Sequence, residues 1–161
     1  MNSRLATASD WKLYKDIRLE ALENVPQAFG QSYTDAANQP DSHWQDILSQ
    51  ENRFFVLTEE NGIVVSVAGT KQITDDTWFV IAVYTRPAFR GKGIAKETIQ
   101  EVLNELQKRG IKKAELSVNV DQEAAIALYK GLGFSITRTA ADQKMGDGSL
   151  HDEYVMEKVL G

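Results

Sequence analysis

Arg90, Gly91, Lys92, Gly93, Ile94 and Ala95 stand in a row, two glycines among cationic side chains, directly ahead of a long amphipathic run. A strand, a glycine turn and a helix in that order bring backbone N–H groups and the positive end of a helix dipole to one point, where an anion such as a phosphate can sit. Glycine lets the backbone come close, and Arg90 and Lys92 add charge. The plainer reading is a tight strand-to-helix turn with solvated charges. Two familiar phosphate loops do not fit. GxxxxGK[ST] is absent, and in GxGxxG the third glycine is replaced by Lys96.

A second residue that could do chemistry is Tyr129, in "AAIALYKGLGF". A phenol with a pKa of about 10 keeps its proton at neutral pH and can donate it to a departing group. It also shares an apolar face with Ala125, Ile126 and Leu132, so a core role is the alternative.

The chain has no cysteine, which excludes disulfides, thiolate metal sites and cysteine nucleophiles. Its only histidines, His43 and His151, lie far apart, so no histidine-rich metal site is expected. A net charge of −5 argues against a nucleic-acid face, which needs a dense basic patch. "MNSRLATASD" has no apolar run, no segment approaches a membrane span, and the expected location is the cytoplasm.

Those residues need a scaffold, and 161 residues without repeats or linkers suit one domain, 1–161. "SRLATA" reads as a first strand. Ser9 or Asp10 can cap a helix reaching about Asn24, with Leu13, Tyr14, Ile17, Ala21 and Leu22 at three- and four-residue steps. Pro26 and Gly30 break the pattern, and "DSHWQDILSQ" is a shorter helix. "RFFVLTEENGIVVSVAGTKQI" is a hairpin turning at Asn-Gly. "DTWFVIAVYT" is nearly all apolar, so a strand covered on both faces is expected. A helix from about Ile94 to Arg109 follows, stopped by Gly110. "KKAELSVNV" alternates, Asp121 caps "QEAAIALYKGL", Gly133 ends it, and two strands turning at Asp147-Gly148 close the chain. This order predicts an α+β (mixed α/β) fold with helices on the faces of a sheet.

Arg90-Gly91-Lys92-Gly93-Ile94-Ala95 resembles the [QR]xxGx[GA] signature of the GCN5-related N-acetyltransferase (GNAT) superfamily. "AAIALYKGLGF", some 25 residues on, resembles its "A..LY...GF" segment, and "RLEALENVPQAFGQS" looks like the start of a bacterial branch. The element order matches over nearly the whole chain. The resemblance implies the acyl-CoA N-acyltransferase fold, a mostly antiparallel mixed sheet splayed at its middle. It implies acetyl-CoA as co-substrate, no metal, and a primary amine of a small molecule or peptide as acceptor. It implies that backbone N–H groups from Arg90 to Ala95 hold the pyrophosphate, and that the backbone of Val83, Tyr84 and Thr85 receives the pantetheine arm and polarises the thioester. It implies that Tyr129 is the general acid at sulfur.

Two positions depart from the pattern. Gln122 stands where the family often has a pantetheine-binding asparagine; it either serves with a longer reach or is an ordinary first-turn residue. Ser117 stands where enzymes acetylating ribosomal-protein N-termini carry a glutamate base, which weakens the case for a peptide acceptor. The base is therefore open among Glu20, Glu115, His151, Asp152, Glu153 and a water chain. Phe29 and Tyr33 fall in the loop that borders the acceptor cleft in relatives. The acidic balance leans towards cationic acceptors. Homodimers are common in the family. The readings from other classes are a non-catalytic acyl-CoA-binding module or sensor, and a nucleotide-binding domain of unrelated fold.

Overall fold

The computed structural model describes residues 1–161. Seven strands form one sheet in the order β1-β2-β3-β4-β5-β7-β6. They are β1 (Asn2–Leu5), β2 (Arg53–Glu60), β3 (Ile63–Gln72), β4 (Thr77–Thr85), β5 (Lys113–Asn119), β6 (Ser135–Lys144) and β7 (Leu150–Val159). The helices are α1 (Trp11–Asn24), α2 (Tyr33–Ala37), α3 (Asp41–Ser49), α4 (Ile94–Lys108) and α5 (Glu123–Gly131). All strand pairs are antiparallel except β4–β5.

Period-two alternation sends successive side chains to opposite faces. On β2, Phe54 and Val56 join the core under α4 and α5, with Ile99, Leu103, Leu106, Leu132 and Phe134. Phe55 and Leu57 join the core under α1 and α3, with Tyr14, Ile17, Leu22 and Trp44. The sheet is thus sandwiched, which is why its central strands carry few polar residues.

The β4–β5 pairing decides where a ligand can enter. It holds over three residue pairs, Thr77↔Lys113 to Phe79↔Glu115, and then stops. From Val80 onward the β5-facing edge of β4 has no strand partner, so the sheet opens as a V. On its other side β4 carries a bulge, where the register with β3 shifts between Val67 and Gly69, and Ala82 sits at φ +57°. This left-handed conformation is costly for a residue with a side chain and concentrates at functional sites.

Several expectations are corrected. β4 is not covered on both faces: Phe79, Ile81, Ala82 and Val83 are only half-buried, because they line the opening of the V. Asp10 stands at the N-cap position of α1, as expected, but its side chain makes no capping bond to that helix. Thr7 begins a 3-10 turn over Ala8–Asp10, and the Asp10 carboxylate accepts from the Thr7 N–H at 2.8 Å. Asp121 is not the cap of α5; that position is Gln122. The loop after Pro26 holds a short helix, α2, capped by Ser32 Oγ, which accepts from the Asp35 N–H at 3.1 Å. Its five residues are too few for an apolar periodicity to show.

Candidate active site

The glycine loop has the geometry of an anion site. Gly91 and Gly93 lie at φ +76° and +80°, and a Cβ on either would point into open space. Gly93 is the cap of α4, and the first bond of the helix runs from the Glu97 N–H to its carbonyl. The six consecutive N–H groups of Gly91, Lys92, Gly93, Ile94, Ala95 and Lys96 therefore have no acceptor within the chain. Unpaired donors at a helix start are a ready anion site. Arg90 is tethered, its Nε donating to the Thr85 carbonyl at 2.9 Å, with its guanidinium 5.5 Å from the Tyr84 ring. Lys92 is exposed, its ammonium 5.4 Å from the Phe89 ring.

A buried hydroxyl chain holds this loop on the sheet. Thr98 Oγ1 donates to the Ile94 carbonyl at 2.9 Å and lies 3.0 Å from Ser66 Oγ and 2.6 Å from Thr58 Oγ1. Ser66 Oγ in turn lies 2.9 Å from Thr85 Oγ1. The first turn of α4 is thereby locked to β2, β3 and the end of β4.

Two cavities meet in the V. The outer one, about 520 Å³, is lined by Val83, Tyr84, Thr85, Arg90, Ala95 and Gln122 among others. The inner one, about 380 Å³, takes in Val83, Ser117, Asn119, Gln122, Tyr129 and Glu153. Val83, Gln122, Ala28 and Phe29 belong to both, so the two are one passage from the glycine loop to Tyr129. Val83, Tyr84, Thr85, Gln122, Ala95 and Tyr129 thus converge on one opening. Tyr84 sends its hydroxyl the other way, to Glu20 Oε2 at 2.9 Å.

Tyr129 is buried, edge-on to Phe134 at 6.1 Å, and burial pushes its phenol up to about 12. Its oxygen makes no hydrogen bond within the chain. Of the carboxylates considered as bases, only Glu153 lines the inner cavity. Burial raises its pKa above the ordinary glutamate value, partly offset by His151. Burial penalises the charged form, so the carboxylate is held ready to take a proton. Asn119 pairs with Glu153 across β5 and β7; its Nδ2 donates to the Gln27 carbonyl at 2.9 Å, and its Oδ1 is enclosed without a partner.

The remaining acids are occupied elsewhere. Glu20 takes the Tyr84 hydroxyl and lies 3.7 Å from Arg86 Nε. Glu115 pairs with Lys113 at 3.5 Å. Asp152 accepts from the Asp142 N–H at 3.0 Å. His151 Nε2 is 3.0 Å from Ser149 Oγ.

Sequence reasoning missed Arg18 and Asn119. Arg18 falls inside the apolar stripe of α1, between Tyr14, Ile17, Ala21 and Leu22, and a charge in that stripe is the signal that could have found it. It lines the inner cavity with Phe29 and Gly30. Tyr33, in contrast, is exposed on α2 and lines neither cavity. The loop carrying Phe29 is clasped by the β6–β7 turn, where the Gly146 N–H donates to the Phe29 carbonyl at 2.7 Å.

A V-shaped mixed sheet, with an anion cradle at the mouth of its opening, defines the acyl-CoA N-acyltransferase class of fold. The acetyltransferase (GNAT) family model matches residues 15–134, and the chain belongs to this family. It is similar to the [ribosomal protein bS18]-alanine N-acetyltransferase of Escherichia coli strain K12, 38% identical over 82 residues, 50% of this chain and 53% of the relative. The chain therefore spans about half the length of that relative. The Haemophilus ducreyi enzyme of the same name is 33% identical over 104 residues, 64% of this chain and 70% of the relative. Among solved structures, the ribosomal-protein-alanine N-acetyltransferase of Brucella melitensis superposes with a TM-score of 0.85 at 22% identity, covering 99% of this chain and 100% of that one. YncA of Salmonella typhimurium, solved with acetyl-CoA, gives 0.83 at 21%, covering 100% and 94%. At these identities the structural likeness speaks for the fold.

Proposed function

We propose that the protein is an N-acetyltransferase that moves the acetyl group of acetyl-CoA to a primary amine by direct attack in a ternary complex. The observation that carries this reading is the passage that opens beside the glycine loop at Arg90 and Ala95, where six N–H groups lack an acceptor, and ends at Tyr129. The cradle takes the pyrophosphate. The pantetheine arm lies along the unpaired edge of β4, with Gln122 beside it, and the thioester reaches the inner cavity near Val83.

Overall, an ammonium and a thioester give an amide, a thiol and one proton. An alkylammonium has a pKa of about 10, so the amine must shed a proton before or as it attacks. Glu153, with Asn119 Oδ1 beside it, receives that proton, directly or through a water. The nitrogen then bonds to the carbonyl carbon, and the oxyanion is met by the β4 backbone near Val83. The C–S bond breaks as the intermediate collapses, and the second proton shed by the nitrogen ends on the departing sulfur. A phenol at about 12 surrenders its proton to a thiolate of ordinary pKa, about 8.5, only uphill. Tyr129 therefore serves chiefly as a hydrogen-bond donor to the sulfur as charge develops there. Alignment of the two substrates supplies much of the remaining acceleration.

The proposed setting is the cytoplasm. No helix is long and apolar enough to cross a membrane. Pairing of two copies, common in the family, would use the exposed edge strand β6. The test is thiol release from acetyl-CoA across a panel of amines, beside calorimetry with coenzyme A. Release with an acceptor class establishes the transferase. Coenzyme binding without release from any amine leaves a binding module.

A further inference from the structure

Arg18 is a half-buried cation without an anion beside it. Its Nη2 donates to Gln31 Oε1 at 3.1 Å, its guanidinium lies 4.9 Å from the Phe29 ring centre, and its Nη1 is buried with no partner. It makes no ion pair, and burial lowers its pKa. Buried charges in proteins are normally paired. The unpaired one here lines the inner cavity, where Tyr129 and Glu153 also stand. Lys144 lines the same cavity, exposed and without an ion pair. In a chain of net charge −5, the inner cavity thus gathers two cations against one carboxylate, Glu153, which burial biases towards neutrality. That local sign is opposite to the one a cationic acceptor needs.

We propose that Arg18 is the residue that selects the acceptor, and that the acceptor is a small primary amine carrying a carboxylate, an amino acid or a close analogue. A guanidinium fork matches a carboxylate in plane and spacing, with charge-assisted hydrogen bonds. The Phe29 ring and Gln31 fix the orientation of the fork before the ligand arrives. With the carboxylate at Arg18, the amine is left for Glu153 and the unpaired Asn119 Oδ1 on the β5–β7 wall. An inner cavity of about 380 Å³ suits a molecule of that size. A peptide N-terminus has no carboxylate next to its amine, and a polyamine would bring further cations to Arg18 and Lys144. The proposal rests on the acetyl-transfer reading, but its recognition step can be read without turnover.

Two measurements separate the two ideas. The first is calorimetry in the presence of coenzyme A with N-acetyl amino acids, which are the products, against their C-terminal amides. Wild type should bind the acids about 10- to 100-fold more tightly, the range for hydrogen bonds to a charged group, and Arg18→Gln should lose that preference. Coenzyme A binding checks that the variant is folded, and the acid-against-amide comparison on wild type needs no variant. The second is thiol release with free amino acids, their amides and the matching decarboxylated amines, where kcat/KM should fall in that order of lost carboxylate by a similar factor. Carboxylate-dependent binding with no release from any amine keeps Arg18 as the recognition residue and sinks the transferase. Equal binding of acid and amide by wild type, or an undiminished preference in Arg18→Gln, overturns the proposal whatever the turnover.

Discussion

Asn119 and Glu153 face each other across the β5–β7 pair, at the floor of the inner cavity, one with an unpaired carbonyl oxygen and the other with its pKa raised by burial. Replacing Glu153 by Gln keeps the size and removes the proposed proton acceptor. We expect kcat to fall by about 10²- to 10⁴-fold at neutral pH, as loss of a general base does. The acid limb of the kcat/KM profile should lie above the ordinary glutamate value of 4.5 in wild type and flatten in the variant. Stability should move the other way. A raised carboxyl pKa means that the folded state holds the proton more tightly than the unfolded chain, so stability is lost as pH rises above 4.5. At pH 7, Glu153→Gln should therefore melt no lower than wild type. A large drop in Tm would mean the side chain is structural.

Tyr129→Phe removes one oxygen and keeps the ring against Phe134. Since a thiolate is a tolerable leaving group, the loss should sit at or below the low end for an acid catalyst, roughly 10- to 100-fold in kcat. KM for acetyl-CoA should change little. The raised phenol, at about 12, also places its titration outside the working range, so no alkaline limb below pH 10 should vanish in the variant. Unchanged kcat would remove Tyr129 from the mechanism.

The cradle can be closed by a single methyl group. Gly93→Ala forces a side chain onto a residue at φ +80°, costing about 1–2 kcal/mol in backbone strain. The added Cβ projects into the open space that the phosphates would fill. Calorimetry should show coenzyme A binding at least 10-fold weaker, with a smaller effect on the acceptor. Equal binding would place the pyrophosphate elsewhere.

How much of this could be read from the chain divides along physical lines. The glycine loop, Tyr129 and the hairpin at Asn61–Gly62 depend on local geometry, and a short motif carries local geometry. The inner cavity does not. Glu153 reads as a surface charge in "LHDEYVMEKV", because nothing local says that β7 lies beside β5 and brings Glu153 opposite Asn119. Arg18 announces itself only as a charge in an apolar stripe. β4 misleads because a strand that lines an empty cleft is as apolar as one packed on both faces. Its Ala82 bulge leaves no mark, since alanine is not the residue that such a φ selects.

Asp10 ties the start of α1 to the sheet edge. Arg4 Nη1 donates to its Oδ2 at 2.8 Å and Nη2 to its Oδ1 at 3.0 Å, while Arg4 also reaches Glu59 at 2.9 Å. The Arg4 hydrogen bonds, helped by the Thr7 N–H, hold the carboxyl below its ordinary value of 3.8. A depressed pKa stabilises the fold above the unfolded value and is lost as pH falls through the folded one. Asp10→Asn should cost about 1–2 kcal/mol at pH 7, and the melting curves of variant and wild type should converge below pH 3.8. A gap that persists in acid would assign the loss to packing instead.

Gly146 offers a way to disturb the acceptor side while leaving the glycine loop untouched. Its N–H holds the Phe29 carbonyl at 2.7 Å, and a Cβ there would collide with the Gln31 carbonyl, which is backbone and cannot swing aside. Gly146→Ala should push the loop of Phe29 and Gln31 off the β6–β7 turn and carry the Arg18 fork with it, since Gln31 Oε1 and the Phe29 ring are what orient that fork. The cradle at Gly91–Lys96 shares no residue with this clasp. The expected signature is a KM for the acceptor raised about 10-fold or more, with coenzyme A affinity within about twofold of wild type, because a misplaced positioning group is felt in alignment of the substrate it holds. If coenzyme A binding falls by the same factor as acceptor binding, the loop supports the whole fold rather than the inner cavity.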